Sequence, residues 1–161
     1  MVLFVILIAL ILSYLAYFNT EKKLTPIERY ATLVFASFLS LWVDVTLGLI
    51  YNQYFYFEKG VHWNDFLFHF GIYPAISNLF LNSFPFKNGY FNKILYIFGW
   101  SVISIGYELF FKAIGVFVYQ GYHLWYSFIA YPMLFISLLL NLKFINHLRR
   151  KSIPKGDISE V

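Results

Sequence analysis

Two carboxylates stand inside otherwise apolar stretches of this chain, and they are the residues best placed to do chemistry. Asp44 falls within the run 30–50 and Glu108 within the run 94–118. If both runs are helices starting at a basic connection, each carboxylate lies roughly 21 Å from that start at 1.5 Å per residue. Each also has a polar stripe to match. Ser37, Ser40, Asp44 and Gly48 follow the spacing of one helical face, and Ser101, Ser104, Glu108 and Lys112 repeat it. A charge inside a bilayer costs at least about 2.5–3.5 kcal/mol, so both faces should turn toward a protein interior. Lys112, one turn beyond Glu108, could hold that carboxylate ionised through an intrahelical pair. Asp44 has no such local partner.

The histidines extend the pattern. His62 and His123 follow the two stripes in the next connections, and Asp65 and His69 open the following apolar run, whereas His147 stands apart near the basic tail. The sequence thus assigns a candidate ligand-binding site to Asp44, Glu108, His62, His69, His123, Lys112, Ser40 and Ser104. Imidazole and carboxylate together suit several divalent metals, which makes His62, His123, Asp44 and Glu108 the candidate ligands of a divalent ion. Their spacing is too long-range to decide between a metal, another ligand and plain hydrogen bonding across helices. Trp63 and Trp125 fit an aromatic belt. The run from Tyr51 to Phe57 fits an interfacial segment at the headgroups or the lining of a lipid-accessible groove. No catalytic residue is assigned. The sequence has no phosphate-binding glycine loop, no His-Glu-x-x-His helix and no Gly-x-Ser-x-Gly elbow. Cysteine is absent, which excludes disulfides, thiolate metal sites and cysteine nucleophiles.

The elements that must position these groups are membrane helices. Of the 161 residues, 60% are hydrophobic and 12% charged, half the charged share of a soluble domain. The apolar residues fall in blocks of the length that crosses a hydrocarbon core, about 20 residues for about 30 Å. Five such blocks run over about 2–18, 30–50, 66–83, 94–118 and 122–142, followed by a basic tail, 143–161. The predicted fold is an all-α integral membrane bundle of five transmembrane helices in a single domain. The first block lacks the basic flank and small-residue cleavage site of a signal peptide. The third carries His69, Pro74, Asn78 and Asn82, so a re-entrant segment is the alternative there. Pro74 and Pro132 should kink the third and fifth helices.

Charge sets the direction. Lys22, Lys23 and Arg29, then Lys87 and Lys93, then Lys143, Arg149, Arg150, Lys151 and Lys155 all fall on one side, leaving Lys59 and Lys112 for the other. The positive-inside rule places the N-terminus out and the C-terminus in. Because the net charge of +4 is spread over topological positions, it gives nucleic-acid binding little support.

An echo links the second and third blocks to the fourth and fifth. Ser37, Ser40 and Asp44 share one offset with Ser101, Ser104 and Glu108. Gly60-Val61-His62, Tyr73-Pro74 and Asn82 then find counterparts in Gly121-Tyr122-His123, Tyr131-Pro132 and Asn141. This order suggests a parallel repeat of helices 2-3 and 4-5 about an axis along the membrane normal. The two carboxylates would then be symmetry mates in the outer half of the bundle.

The order Arg29-Tyr30-Ala31-Thr32, Asp44, Tyr54-Phe55-Tyr56-Phe57, Gly60-Val61-His62-Trp63, Tyr73-Pro74, Asn82-Ser83-Phe84-Pro85-Phe86, Tyr107-Glu108, Trp125-Tyr126-Ser127 and Tyr131-Pro132 resembles a family of small uncharacterised multi-pass membrane proteins of spore-forming Firmicutes. The resemblance covers nearly the whole chain after the first helix. It implies a bacterial plasma membrane and carries no activity. Three classes of function remain in view. The chain is an accessory or ligand-binding membrane protein with an outward-facing polar site, a proton- or cation-linked transport module, or a lipid or envelope enzyme using carboxylates and histidines. Its expected partners are membrane lipids and either a membrane protein or a second copy.

Overall fold

The computed structural model describes residues 2–60 and 62–152. Helix α1 (Val2–Asn19) is apolar on every side, and Leu3, Phe4, Ile11, Leu12, Leu15 and Phe18 stay exposed along it. Helix α2 (Pro26–Asp44) starts four residues before the expected boundary because Thr25-Pro26-Ile27-Glu28 is a complete capping box. The Glu28 backbone N–H donates to the Thr25 hydroxyl, and the Thr25 backbone N–H donates to the Glu28 carboxylate at 2.7 Å. These bonds satisfy donors that a helix start leaves open, and Pro26 occupies the position where a missing N–H costs nothing.

Directly after Asp44 the helix widens into a π-helical stretch, Val45–Ile50, which ends with Tyr51 N–H donating five residues back to Thr46 at 3.0 Å. A strand, β1 (Tyr54–Tyr56), follows. The next helical run opens with α3 (Asp65–Leu67), passes through a second π stretch, Phe68–Ile72, and continues as α4 (Tyr73–Asn82). Helix α5 (Tyr90–Ala113) stops well short of the predicted 118. Gly115, at φ 78°, ends it. Its N–H donates to Lys112 at 3.1 Å and the Val116 N–H to Phe111 at 2.9 Å, the paired closure of a glycine-terminated helix. Residues 116–118, expected to be helical, are thereby released, and β2 (Phe117–Tyr119) forms from them. Helix α6 (Leu124–Ser152) runs about ten residues past the predicted end, so the start of the basic tail is helical.

Two short strands add to the mostly helical fold. They pair antiparallel, with Tyr54 opposite Tyr119, Phe55 opposite Val118 and Tyr56 opposite Phe117. The Gln53 carbonyl adds to the stitch by accepting the N–H groups of Gln120, Gly121 and Tyr122 at 2.9, 3.1 and 3.0 Å. The run from Tyr51 to Phe57 therefore belongs to a ribbon that ties two connections together.

Three helical segments are long and apolar enough to cross a membrane, Pro26–Ile50, Tyr90–Ala113 and Leu124–Lys151. Helix α1 is a shorter apolar helix. The 65–82 run is the most polar of the five, and it is also the most buried. It carries Asp65, His69, Ser77, Asn78 and Asn82 below the surface, between α1, α2 and α6. The physical reason is direct: polar groups that lipid cannot solvate have to be covered by protein. Gly71 permits the closest approach, since a Cβ there would meet Leu10 Cδ1 of α1 at 2.5 Å. Helix α6 packs against both α2 and α5. Two apolar clusters close the bundle. One gathers Phe80, Phe84, Phe135, Leu138 and Leu142. The other gathers Ile6, Tyr56, Phe68, Ile72, Phe111 and Phe117 beneath the ribbon.

The end opposite the ribbon collects the connections 20–25 and 83–89. There the Asn82 side chain accepts the Lys23 and Leu24 N–H groups at 2.8 and 3.2 Å and donates to the Glu21 carbonyl. Arg149 reaches Thr25 Oγ1 at 3.3 Å and Glu28 at 4.0 Å.

Candidate functional site

Asp44 lies at the last α-helical position of α2, where the π stretch begins. Its carboxylate is 16% exposed and is held from two sides. From β1, the Tyr54 hydroxyl donates to Oδ1 and the Tyr56 hydroxyl donates to Oδ2 at 2.6 Å. From the second π stretch, His69 Nε2 lies 3.3 Å from Oδ2. The other ring nitrogen of His69 meets Ser40 Oγ at 3.2 Å, and the Ser40 hydroxyl donates to the Ser37 carbonyl at 2.9 Å. Tyr56 Oη also lies 3.0 Å from Tyr73 Oη. Asp44, for which the sequence offered no local partner, thus has three partners that are distant in the chain. The two π turns flank the contact on both helices, and such widened turns recur where a helix must re-aim a side chain.

Glu108 is buried on α5 and is held in a parallel way. The Tyr119 hydroxyl of β2 donates to its Oε1, and Ser127 Oγ of α6 lies 3.0 Å from Oε1 and 2.8 Å from Oε2. Tyr122 Oη in turn lies 2.9 Å from Ser127 Oγ. Each carboxylate therefore takes a tyrosine hydroxyl from the strand that follows its own helix. Burial raises the phenol pKa of Tyr54, Tyr56 and Tyr119, and the carboxylate beside each raises it further, so all three stay protonated donors.

The expected Lys112–Glu108 pair is not made. Lys112 is exposed, and its ammonium sits 3.9 Å from the centre of the Tyr119 ring. At the end of α5 the side chain finds an aromatic face within reach, while Glu108 is already enclosed by hydroxyl donors.

Both carboxylates wall one cavity of about 210 Å³ between α2, α4, α5 and α6 under the ribbon. Ser40, Ser77 and Ser104 also line it, together with seven tyrosines, Tyr54, Tyr56, Tyr73, Tyr107, Tyr119, Tyr122 and Tyr131. Apolar side chains such as Trp100, Leu134, Phe135 and Leu138 close its far end. A second cavity, about 300 Å³, lies on the other side of Asp44 toward Asn52, Lys59, Gly60 and Asp65, with His69 also in its wall. Asp44, Tyr54 and Tyr56 border both spaces.

The remaining histidines do not join. His62 borders neither cavity; its backbone N–H donates to Asp65 Oδ2 at 2.9 Å, and its Nε2 is buried without a hydrogen-bond partner. His123 is exposed before α6, with its ring 5.7 Å from that of Tyr126. Among the described residues no three His, Asp or Glu side chains come together to hold a metal ion. The predicted set of His62, His123, Asp44 and Glu108 is therefore not assembled, because the ribbon and the short turns beside it carry the two histidines away from the carboxylates. The residues that sequence reading missed are the tyrosines. With 14 in the chain, none stands out by type, and only the strand pairing selects Tyr54, Tyr56 and Tyr119. No protein-family model, curated protein or solved structure matches the chain, and the chemistry of the site rests on this geometry.

Proposed function

We propose that the protein is a multi-pass protein of the bacterial plasma membrane that binds a cationic ligand between Asp44 and Glu108. The observation that carries the reading is that two carboxylates far apart in sequence wall one cavity. Tyrosine and serine hydroxyls hold both in place, and among the described residues no lysine or arginine pairs with either. A hydroxyl donor fixes a carboxylate while leaving its charge available to a guest. In this reading all five helical runs cross the bilayer, with the ribbon outside and the connections 20–25 and 83–89 inside, in accord with the distribution of basic residues. The resemblance read in the sequence implies the same bacterial setting. The shared tyrosine-to-carboxylate bond in both halves favours the parallel repeat of helices 2-3 and 4-5.

The test uses the purified full chain in nanodiscs, following intrinsic fluorescence during titration with sodium, potassium, magnesium, calcium and tetramethylammonium chlorides. A saturable response to one of them is expected, lost in Asp44→Asn and in Glu108→Gln while both variants remain monodisperse. The reading fails if no cation gives a saturable response, or if the response survives in both variants. In that case the carboxylates serve helix packing, and the accessory-subunit reading, with a membrane protein or a second copy as partner, takes its place.

A second reading, a cation-linked transport module, is favoured by one observation. Asp44 borders the cavity facing the connections and the cavity facing Glu108, so a bound cation could pass from one to the other. Counterflow uptake of the responding cation into proteoliposomes separates transport from binding.

A further inference from the structure

We infer that the ligand of the inner cavity is a small alkylated ammonium ion, held by tyrosine ring faces, with Asp44 and Glu108 supplying charge. The inference rests on the cation-binding reading and narrows it to one chemical class.

The walls favour this class over an inorganic ion. A bound calcium takes about six to eight oxygen ligands, and magnesium demands near-octahedral geometry. This cavity offers two carboxylates on different helices, and among the described residues no group of three His, Asp or Glu side chains forms. The carboxylate oxygens are also largely engaged. A carboxylate has about four acceptor positions. Asp44 receives Tyr54 and Tyr56 with His69 alongside, and Glu108 receives Tyr119 and contacts Ser127 through both oxygens. A primary ammonium brings three N–H donors, and the acceptor positions left open are split between two helices. An ammonium carrying methyl groups in place of N–H makes no such demand. It asks for negative potential and for aromatic faces.

Those faces are set at angles to one another along the cavity. Tyr54 and Tyr122 lie 5.4 Å apart at 80°, Tyr119 and Tyr122 lie 5.2 Å apart at 68°, and Tyr54 and Tyr56 lie 6.2 Å apart at 83°. All four line the cavity, so its wall beneath the ribbon is a series of nearly perpendicular rings. The rings meet edge to face along this wall, and an aromatic lining is what recognises quaternary ammonium groups. The volume fits as well. An apolar cavity of about 150 Å³ takes one benzene, so about 210 Å³ takes a cation slightly larger than that.

The wild-type chain in nanodiscs provides the main test, through calorimetric titration with ammonium, methylammonium, trimethylammonium and tetramethylammonium chlorides. Affinity is expected to rise at each step, by at least about tenfold across the series. Choline should also bind at least about tenfold more tightly than 3,3-dimethylbutan-1-ol, its uncharged counterpart. Tyr122→Leu removes one ring of the wall and should lower tetramethylammonium affinity about tenfold. If affinity falls with methylation, or if potassium or magnesium binds as tightly, the alkylated-ammonium inference is overturned while the cation-binding reading stands. If the neutral alcohol binds as well as choline and Asp44→Asn changes nothing, both fail. The methylation series needs no variant, so a folding defect in Tyr122→Leu leaves the test intact.

Discussion

Tyr56 illustrates how single residues set the character of this site. Its hydroxyl donates to Asp44 at 2.6 Å, its Oη meets Tyr73 at 3.0 Å, and its ring packs 5.2 Å from Phe68. Removing only the oxygen should therefore loosen the carboxylate without opening a cavity. A hydrogen bond to a charged group is worth about 1.5–3 kcal/mol in soluble proteins, while side-chain bonds within membranes average about 0.6 kcal/mol. Tyr56→Phe is expected to lower stability by about 1–2 kcal/mol in a denaturant titration of the solubilised protein. In an Asp44→Asn background the loss should be smaller, because an amide is a weaker acceptor. Equal losses in both backgrounds would show that the bond contributes nothing. Lys112 supplies the converse case. Its ammonium lies over the Tyr119 ring on an exposed side chain, where a cation–π contact is worth about 0.5–1 kcal/mol. Lys112→Gln should cost no more than about that amount and leave cation binding within about twofold. A larger shift in affinity would mean that the lysine charge acts on Glu108 after all.

Among the elements, the α5–β2 junction decides whether Tyr119 reaches Glu108. Gly115 holds φ at 78°, a region that costs other residues roughly 1–2 kcal/mol, and open space surrounds its Cβ position. The cost of Gly115→Ala is thus conformational rather than steric. The variant is expected to melt as if about 1 kcal/mol less stable and to weaken cation binding, through slippage of Phe117–Tyr119 against Tyr54–Tyr56. Gly106, with equally open space on α5 and no unusual φ, is the control, since alanine there should be neutral or slightly stabilising. These junctions also show what the chain discloses in advance. Asp44 and Glu108 were legible because a carboxylate inside a long apolar run is rare. The α2 boundary was signalled by Thr25 and Glu28, and the α5 boundary by Gly115, although hydrophobicity alone extended one helix too little and the other too far. The π turns carry no such mark, because they follow from how α2 and the 65–82 run must pack to bring His69 to Asp44. Three-residue strands in an aromatic run likewise read as an interfacial segment until their partner is known. His62 and His123 do not line either cavity, because connection geometry, which periodicity does not describe, decides where they lie.

For the molecule as a whole, the distribution of polarity is inverted relative to a soluble protein, and that inversion yields a test of its orientation. The 65–82 run, with five buried polar residues, lies inside, while Phe38, Trp42, Phe91, Ile94, Phe98, Ile129, Met133 and Leu140 are exposed on the surrounding helices. Such a surface calls for a cover of acyl chains or of protein. Lipid around the helices leaves two polar ends, one bearing Lys59 beside the ribbon and the other bearing Lys87 between α4 and α5. Both side chains are exposed. The chain contains no cysteine, so a single introduced thiol reports on one place only. In intact bacterial cells, a membrane-impermeant maleimide is expected to label Lys59→Cys and to spare Lys87→Cys until the cells are lysed. The reverse pattern would turn the bundle over and place the cavity toward the cytoplasm. Labelling of both in intact cells would mean that the 65–82 run does not cross the bilayer, since that run is the helical segment between the two positions.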